Sequence, residues 1–233
     1  MRYDNIHEAV FIRRLNRFVA EVEIGGVVER VHVRNTGRCA ELLVAGNRVF
    51  LEKSHAPNRK TAYDLIAVER RRDGDVLLVN MDSLAPNRAA GEWLAASGLG
   101  PLKDLRAEVT VGDSRFDFCA RSGARPMAIE VKGCTLEIGG AAMFPDAPTE
   151  RGLKHVRELT ALAMAGWRCA VVIVVQMKGV SVFRPNWAAQ PAFGAALIAA
   201  HEAGVEIVAL DCVVRPGFVE IDSPVPVDLM GPE

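Results

Sequence analysis

The pattern of the chain changes at about residue 81, and this change constrains the fold more than any other feature. Before it, short segments alternate apolar and polar residues and are separated by turn signals such as 25–26 (Gly-Gly) and 73–74 (Asp-Gly), which is typical of β-hairpins. After it, segments with apolar residues at helical spacing alternate with strand-like segments. We therefore predict two domains, residues 1–80 and 81–233.

The first domain is predicted to be built from strands alone. The predicted strands cover residues 19–24, 27–33, 39–44, 48–52, 63–68 and 76–79. Five or six short strands within about 80 residues fit the size of a small closed barrel. We therefore predict an OB-like β-barrel.

The second domain combines helices with strands. Predicted helices cover 87–97, 149–165 and 192–203, and predicted strands cover 105–111, 114–121, 127–132, 169–176 and 205–214. The first three of these strands follow one another closely and favour an antiparallel meander. The order predicts a mixed sheet flanked by helices, so the two-domain chain belongs to the α+β or α/β class. The Pro-rich tail from Ser223 is expected to be a surface strap or a frayed end.

Charge is informative only when the two domains are counted separately. The whole chain has 28 Lys+Arg and 29 Asp+Glu, a net charge of −1, which by itself gives no support to a nucleic-acid partner. Residues 1–80 carry 14 basic and 11 acidic side chains, giving +3, while residues 81–233 carry 14 and 18, giving −4. A mildly basic barrel joined to an acidic domain is compatible with nucleic acid binding and with a bound cation.

Cysteine spacing and hydropathy exclude several classes of protein. The five cysteines lie far apart, at 39, 119, 134, 169 and 212, without the close pairs of a structural zinc site. The first ten residues contain no apolar signal-peptide core. The longest apolar run, 169–175, is too short to span a bilayer. We expect a cytoplasmic protein with free thiols and no membrane partner. The sequence leaves the oligomeric state open, a homodimer included.

Two carboxylates and a lysine are the candidate catalytic residues. Asp117 lies in a predicted strand between Phe116 and Phe118, whose rings are expected on the opposite face. Glu130 and Lys132 share a face of the next strand, so a hairpin would bring them beside Asp117. Such a set suits Mg²⁺ or Mn²⁺ and the stabilisation of charge on a phosphoryl group. A simple ion pair between Glu130 and Lys132 is the alternative.

The predicted arrangement resembles that of PD-(D/E)XK nucleases. It has a carboxylate on the second strand of a meander and Glu-x-Lys on the third, followed by a helix and a strand. In that fold the helix before the meander often adds an acid. Glu92 is the only acid in the predicted helix, and Glu108 on the first strand is the other option. We predict Glu108 as a metal ligand together with Asp117 and Glu130, although either acid could be an ordinary surface carboxylate.

Basic residues in polar loops and at a helix start are the candidate nucleic-acid contacts. They are Arg13, Arg17, Arg38, Arg59, Lys60, Arg151, Lys154 and His155. A helix N-terminus adds its dipole and free N–H groups to the charge of nearby cations, which favours phosphate. The alternative for the helix is a capped, solvated polar face. Phe18 and Tyr63 could stack on bases, but core packing is the favoured role for both.

Six motifs occur in an order that resembles a known family. They are NRF (16–18), NTGR (35–38), RKTAYDL (59–65), SRFDF (114–118), EVKGCTL (130–136) and FPDAPTERGLKHVREL (144–159). Together they closely resemble the sugar fermentation stimulation protein (SfsA) family of bacteria and archaea. The resemblance implies an OB-like domain, a PD-(D/E)XK-like domain and DNA binding without marked sequence preference. The family name also implies a link to the regulation of sugar metabolism.

The resemblance assigns roles to particular positions. Asp117, Glu130 and Lys132 match the nuclease-like constellation, and Arg151 and His155 match the helix motif. Gln190 departs from the pattern, because an acid is expected there. We therefore predict a protein that binds single- or double-stranded DNA without sequence preference and has a nuclease-type Mg²⁺ or Mn²⁺ site. An active metal-dependent nuclease is the alternative.

Overall fold

The computed structural model describes residues 1–54, 59–72 and 75–231. The predicted turn at 73–74 and Asn58 of a predicted polar loop lie outside the described residues. Within them, no helix is long and apolar enough to cross a membrane. The five cysteines are free thiols, and burial raises the pKa of Cys134 to about 12 and that of Cys169 to about 11.

The first domain is a closed OB-like barrel, as predicted. Its strands are β1 (Ile6–Arg14), β2 (Val19–Ile24), β3 (Val27–Val33), β4 (Arg48–Lys53), β5 (Tyr63–Arg72) and β6 (Asp75–Asn80). The sheet order is β3-β2-β1-β4-β5-β6, and a parallel pairing of β3 with β5 closes the first five strands into a ring. β6 extends β5 as its antiparallel neighbour.

The barrel differs from the prediction in two segments. Strand β1 was not predicted, and the predicted strand 39–44 is a turn in which the N–H groups of Leu42 and Leu43 bond to the carbonyl of Cys39. Leu42 is nevertheless completely buried. A turn whose apolar side chains fill the core produces the same apolar run as a short strand, which explains the error.

The second domain contains a six-stranded mixed sheet. Its elements in chain order are α1 (Ala85–Ala95), β7 (Lys103–Val111), β8 (Ser114–Ser122), β9 (Arg125–Cys134), β10 (Leu136–Ile138), β11 (Ala141–Phe144), α2 (Glu150–Met164), β12 (Arg168–Val175), β13 (Val182–Pro185), α3 (Pro191–Glu202), β14 (Glu206–Arg215) and β15 (Phe218–Val225). The large sheet has the order β15-β14-β12-β9-β8-β7, and β10, β11 and β13 form a small second sheet. β7, β8 and β9 are the predicted antiparallel meander, and β9, β12 and β14 are parallel.

The central strand β9 has helices on both of its faces. Ile129 and Val131 lie in a buried cluster with residues of α1, whereas Ala128 clusters with Val156 and Leu159 of α2. The cluster on the α2 side is continuous with the barrel interior. Alternate residues of β9 therefore pack against different layers of helices. Glu130 lies between Ile129 and Val131, so its side chain is directed towards α2.

The loop of residues 35–38 joins the two domains. The Arg14 guanidinium donates to the carbonyls of Asn35 and Gly37, each at 2.7 Å, and so fixes the loop from the barrel side. On the other side, the backbone N–H of Arg38 donates to the Asp146 carboxylate at 3.2 Å. A Cβ on Gly37 would lie 2.4 Å from Asp146 Oδ2, so glycine permits this close approach.

A buried carboxylate beside this junction accepts hydrogen bonds from two arginines and one histidine. Asp64 is completely buried and accepts two hydrogen bonds from Arg59 at 2.6 Å, one from Arg34 at 2.7 Å and one from His32 at 2.7 Å. Arg34 also pairs with Asp82, in the segment that leads to α1, at 3.1 Å. Burial alone would raise the pKa of the Asp64 carboxyl, but the bonds from Arg59 and His32 and the charge of Arg34 outweigh it and lower that pKa.

We expect Asp64→Asn to lower the free energy of unfolding at neutral pH by about 3–5 kcal/mol, because it removes the buried charge that pairs with Arg34 and Arg59. The folded-state pKa lies below the unfolded value of about 3.9, so this carboxylate stabilises the fold above that pH and the contribution is lost on acidification. The variant should therefore lose stability less steeply below about pH 4. Urea unfolding over a pH series measures both effects, with the exposed Asp4→Asn as control. A midpoint equal to the wild type at neutral pH would contradict the expectation.

Candidate active site

The site lies where strands β8 and β9 separate. Their antiparallel pairing ends at Phe118 and Ile129, directly before Asp117 and Glu130. Beyond that point, Asp117 Oδ2 accepts a hydrogen bond from the backbone N–H of Val131 at 2.8 Å. The carboxylate thus takes the place of a backbone partner and lies against the Glu130–Lys132 segment.

This separation explains why one expectation is wrong. Phe116 and Phe118 were expected on the same face of β8, but they lie in different layers. The ring of Phe116 is 6.1 Å from that of His155 in α2, while Phe118 packs against Gly91 of α1, where a Cβ would come within 3.2 Å of the ring. The strict alternation of a paired strand does not hold where β8 leaves its partner.

The two oxygens of Glu130 lie in different environments. The side chain is 3% exposed, and its Oε1 contacts the Lys132 ammonium and lies 2.5 Å from Nδ1 of His155. Its Oε2 is buried and has no hydrogen-bond partner among the described residues. Buried carboxylate oxygens are nearly always paired, so Oε2 is a candidate ligand atom for a cation.

Asp117 is fixed by α1 as well as by β9. Its Oδ1 accepts a hydrogen bond from the side-chain amide of Asn87 at 2.7 Å. Each carboxylate oxygen can accept more than one hydrogen bond or ligand, so both remain available to a cation. Asn87 was not predicted, because an acid was expected in this helix. The acid in that helix, Glu92, instead forms an ion pair with the amino terminus of Met1 at 2.8 Å.

The residues present fit a cation that keeps part of its water shell. Mg²⁺ is commonly held by one or two protein carboxylates together with waters and phosphate oxygens, and Asp117 and Glu130 supply two. Within the described residues, no group of three His, Cys, Asp or Glu side chains is placed to hold a metal ion. The donor set therefore suits a hydrated Mg²⁺ or Mn²⁺ better than a fully protein-coordinated ion.

The structure does not place the Glu108 side chain together with Asp117 and Glu130 as a third metal ligand. The pairs Ala107–Phe118 and Val109–Phe116 set Glu108 across from Asp117 in the neighbouring strand. Its side chain is however 67% exposed, and its nearest ion-pair partner is Arg115 at 3.7 Å. Its assignment as a metal ligand stays a prediction.

The first turn of α2 positions His155. Thr149 caps the helix by accepting the N–H of Gly152 at 3.0 Å, and its own N–H donates to Gln190 Oε1 at 2.9 Å. Gln190, where an acid was expected, thus acts as a buried acceptor that anchors the helix start. His155 is 6% exposed and contacts Glu130, so it lies beneath the site and not on the surface where a nucleic-acid contact was expected.

The remaining predicted nucleic-acid contacts divide into free and paired cations. In the described part of the chain, Arg17, Arg38, Lys60 and Arg151 are exposed and form no ion pair. Three others are engaged by side chains or backbone. Arg13 pairs with Glu21 at 2.8 Å, Arg59 with the buried Asp64, and Lys154 with Glu158 at 3.5 Å and the carbonyl of Asp113 at 3.3 Å.

The two predicted aromatic contacts also differ in exposure. Phe18 is 49% exposed, with the Arg17 guanidinium 5.8 Å from the centre of its ring. Tyr63 packs edge-on against His7, with ring centres 5.2 Å apart, and lies at the border of the barrel core. Phe18 is therefore the one accessible to a ligand.

Comparison with known proteins agrees with this architecture. Residues 12–79 match the family model of the SfsA N-terminal OB domain, and residues 84–218 match that of the sugar fermentation stimulation protein RE domain. A sugar fermentation stimulation protein homolog of Desulfitobacterium hafniense (strain Y51) is 48% identical over 99% of both chains. The homolog of Ruminiclostridium cellulolyticum is 46% identical over 98% of this chain and 100% of its own.

A solved structure is similar over nearly the whole length. It is that of Pyrococcus furiosus SfsA in complex with Ca²⁺, with a TM-score of 0.86, 30% sequence identity and coverage of 98% of each chain. The two family models together match most of the chain, and the relatives at 46% and 48% identity match nearly all of it. The chain therefore belongs to the sugar fermentation stimulation protein family.

Proposed function

We propose that this chain binds DNA without sequence preference and holds a divalent cation, Mg²⁺ or Mn²⁺, at Asp117 and Glu130. The observation that carries the proposal is the buried Oε2 of Glu130, which has no hydrogen-bond donor among the described residues. The second carboxylate, Asp117, is bonded to the backbone N–H of the adjoining residue, Val131. The Ca²⁺ named for the related Pyrococcus furiosus structure supports a divalent cation in this family.

The surrounding residues prepare the two carboxylates for this role. Lys132 and His155 both hold Oε1 of Glu130, which leaves Oε2 as the free ligand atom. Asn87 orients Asp117 from the opposite layer. A bound divalent cation would polarise a phosphoryl oxygen and offset the negative charge of phosphate.

The proposal of DNA binding is supported by exposed arginines. Arg17 and Arg38 belong to the basic barrel and Arg151 to the start of α2, and the described structure shows no acidic partner for any of them. Arg17 and Arg151 line the same cleft between the domains. Guanidinium groups on phosphates fix the position of a strand but carry no base information, so binding is expected to be independent of sequence.

DNA affinity should fall steeply between low and moderate salt, because each phosphate contact releases counterions. Arg17→Ala and Arg151→Ala should each weaken binding of all sequences alike and reduce the slope of log K against log [salt] by about 1. Fluorescence anisotropy with labelled DNA at several salt concentrations measures both. The control is Arg121→Ala, an exposed arginine at the opposite end of the β8–β9 hairpin. Salt-independent binding would contradict the proposal.

A metal-dependent nuclease is the second candidate function. It is favoured by the contact of Lys132 with Glu130, which places an ammonium group beside one of the two carboxylates. This lysine is 14% exposed and its charge could stabilise the negative charge that develops on a phosphoryl group during hydrolysis.

If the site is catalytic, the wild type should cleave single- or double-stranded DNA when Mg²⁺ or Mn²⁺ is added. Asp117→Ala and Lys132→Ala should each slow cleavage by about 100-fold or more, since each removes a group that acts on the phosphate. Glu92→Ala, which changes an acid away from the site, should retain the wild-type rate. Gel assays of labelled DNA measure the rates. No cleavage by the wild type would contradict the nuclease function and leave DNA binding standing, and cleavage by both variants would place the activity elsewhere.

A further inference from the structure

A cleft of about 450 Å³ separates the barrel from the second domain. On the barrel side it is lined by Arg17 and residues 35–37, and on the other side by residues 144–151. Cavities of roughly 300–1,000 Å³ hold single small ligands. The cleft therefore has room for about one nucleotide but not for a duplex.

Elements that line the cleft also carry the contacts of Asp117 and Glu130. Each of three elements contributes one residue to the cleft lining and one to those contacts: Pro86 and Asn87 from α1, Gly133 and Lys132 from β9, and, one helical turn apart, Arg151 and His155 from α2. In each pair the first residue lines the cleft and the second contacts Asp117 or Glu130. A strand whose phosphate lies at the two carboxylates would have its next nucleotide at the cleft.

The floor of the cleft presents a fixed hydrogen-bond acceptor. Gln176 is 1% exposed, and its Nε2 donates to Asn80 Oδ1 at 2.9 Å and to the carbonyl of Asp82 at 3.0 Å. Because both of these partners are acceptors, the other amide atom of Gln176 is the oxygen. In the described residues this Oε1 accepts no hydrogen bond. A Cβ on Gly133 would lie 2.6 Å from it, so the glycine keeps it uncovered.

The walls and the rim of the cleft supply the other groups that bind nucleotides. Pro86, Phe144 and Pro148 give apolar walls, and Arg17 and Arg151 line the cleft with guanidinium groups that form no ion pair with any described residue. All four bases have an N–H donor on the edge that is exposed when they are unpaired, and they are bound by stacking and by hydrogen bonds to that edge.

An exposed apolar side chain belongs to a segment that lines the cleft. Leu84 is 56% exposed although it is large and apolar, and it stands between Ser83 and Pro86, which both line the cleft. Proteins that separate bases commonly insert such a side chain between them.

We propose that the cleft binds one unpaired nucleotide of a DNA strand, with its base donating to Gln176 Oε1, its phosphate between Arg17 and Arg151, and Leu84 against the adjacent base pair. This proposal rests on the proposed DNA-binding function and specifies its substrate as a junction between duplex and single strand.

The test compares three DNAs by fluorescence anisotropy with Ca²⁺ present: a blunt duplex, the same duplex with a short single-stranded extension, and that extension made abasic. The wild type should bind the extended duplex at least about fivefold more tightly than the blunt one, since a stacked base contributes at least that factor. The abasic extension should lose this preference. Leu84→Ala should reduce it, while Val28→Ala, equally exposed at the far end of β3, should leave it unchanged.

The outcomes separate this inference from the function on which it rests. Equal binding of blunt and extended duplexes would overturn the nucleotide cleft and leave DNA binding intact. A preference that persists with the abasic extension would show that only the backbone is bound, and would also overturn it. Failure to bind any of the three DNAs would overturn both proposals.

Discussion

The arrangement of the candidate site depends on one buried carboxylate. Glu130 lies in the central strand of the large sheet, with one oxygen held by Lys132 and His155 and the other without a donor in the described structure. An unpaired oxygen on a buried charge is unfavourable unless a further group compensates it. The N-cap of α2 and its hydrogen bond to Gln190 position the helix so that His155 contacts Oε1 of Glu130.

The two domains meet through charges that the barrel provides. Arg34 joins Asp64 inside the barrel to Asp82 at the approach to α1, and Asp146 receives the N–H of Arg38. These contacts hold the barrel loop of residues 35–38 against the second domain. Because of these contacts, Arg17 of the barrel and Arg151 of α2 line the same cleft.

Much of the fold and part of the candidate site could be predicted from local sequence patterns. The remaining features depend on packing between segments that are distant in sequence. Turn signals and helical spacing located the barrel, the meander and the helices, with α2 predicted to within one residue at each end. Arg151 and His155 are four residues apart in one helix and were both predicted to contact nucleic acid, but spacing could not show that His155 is buried against the sheet while Arg151 is exposed. Likewise, the separation of β8 from β9 and the reach of Asn87 to Asp117 arise from contacts between distant segments.

The proposed function depends first on a divalent cation held by Asp117 and Glu130. Anomalous diffraction from crystals of this protein soaked in MnCl₂ would locate such a cation. We expect a peak within about 2.0–2.6 Å of a carboxylate oxygen of each residue, and no such peak in crystals of Glu130→Gln. Absence of a peak beside these carboxylates in the wild type, or a peak that remains in the variant, would contradict it.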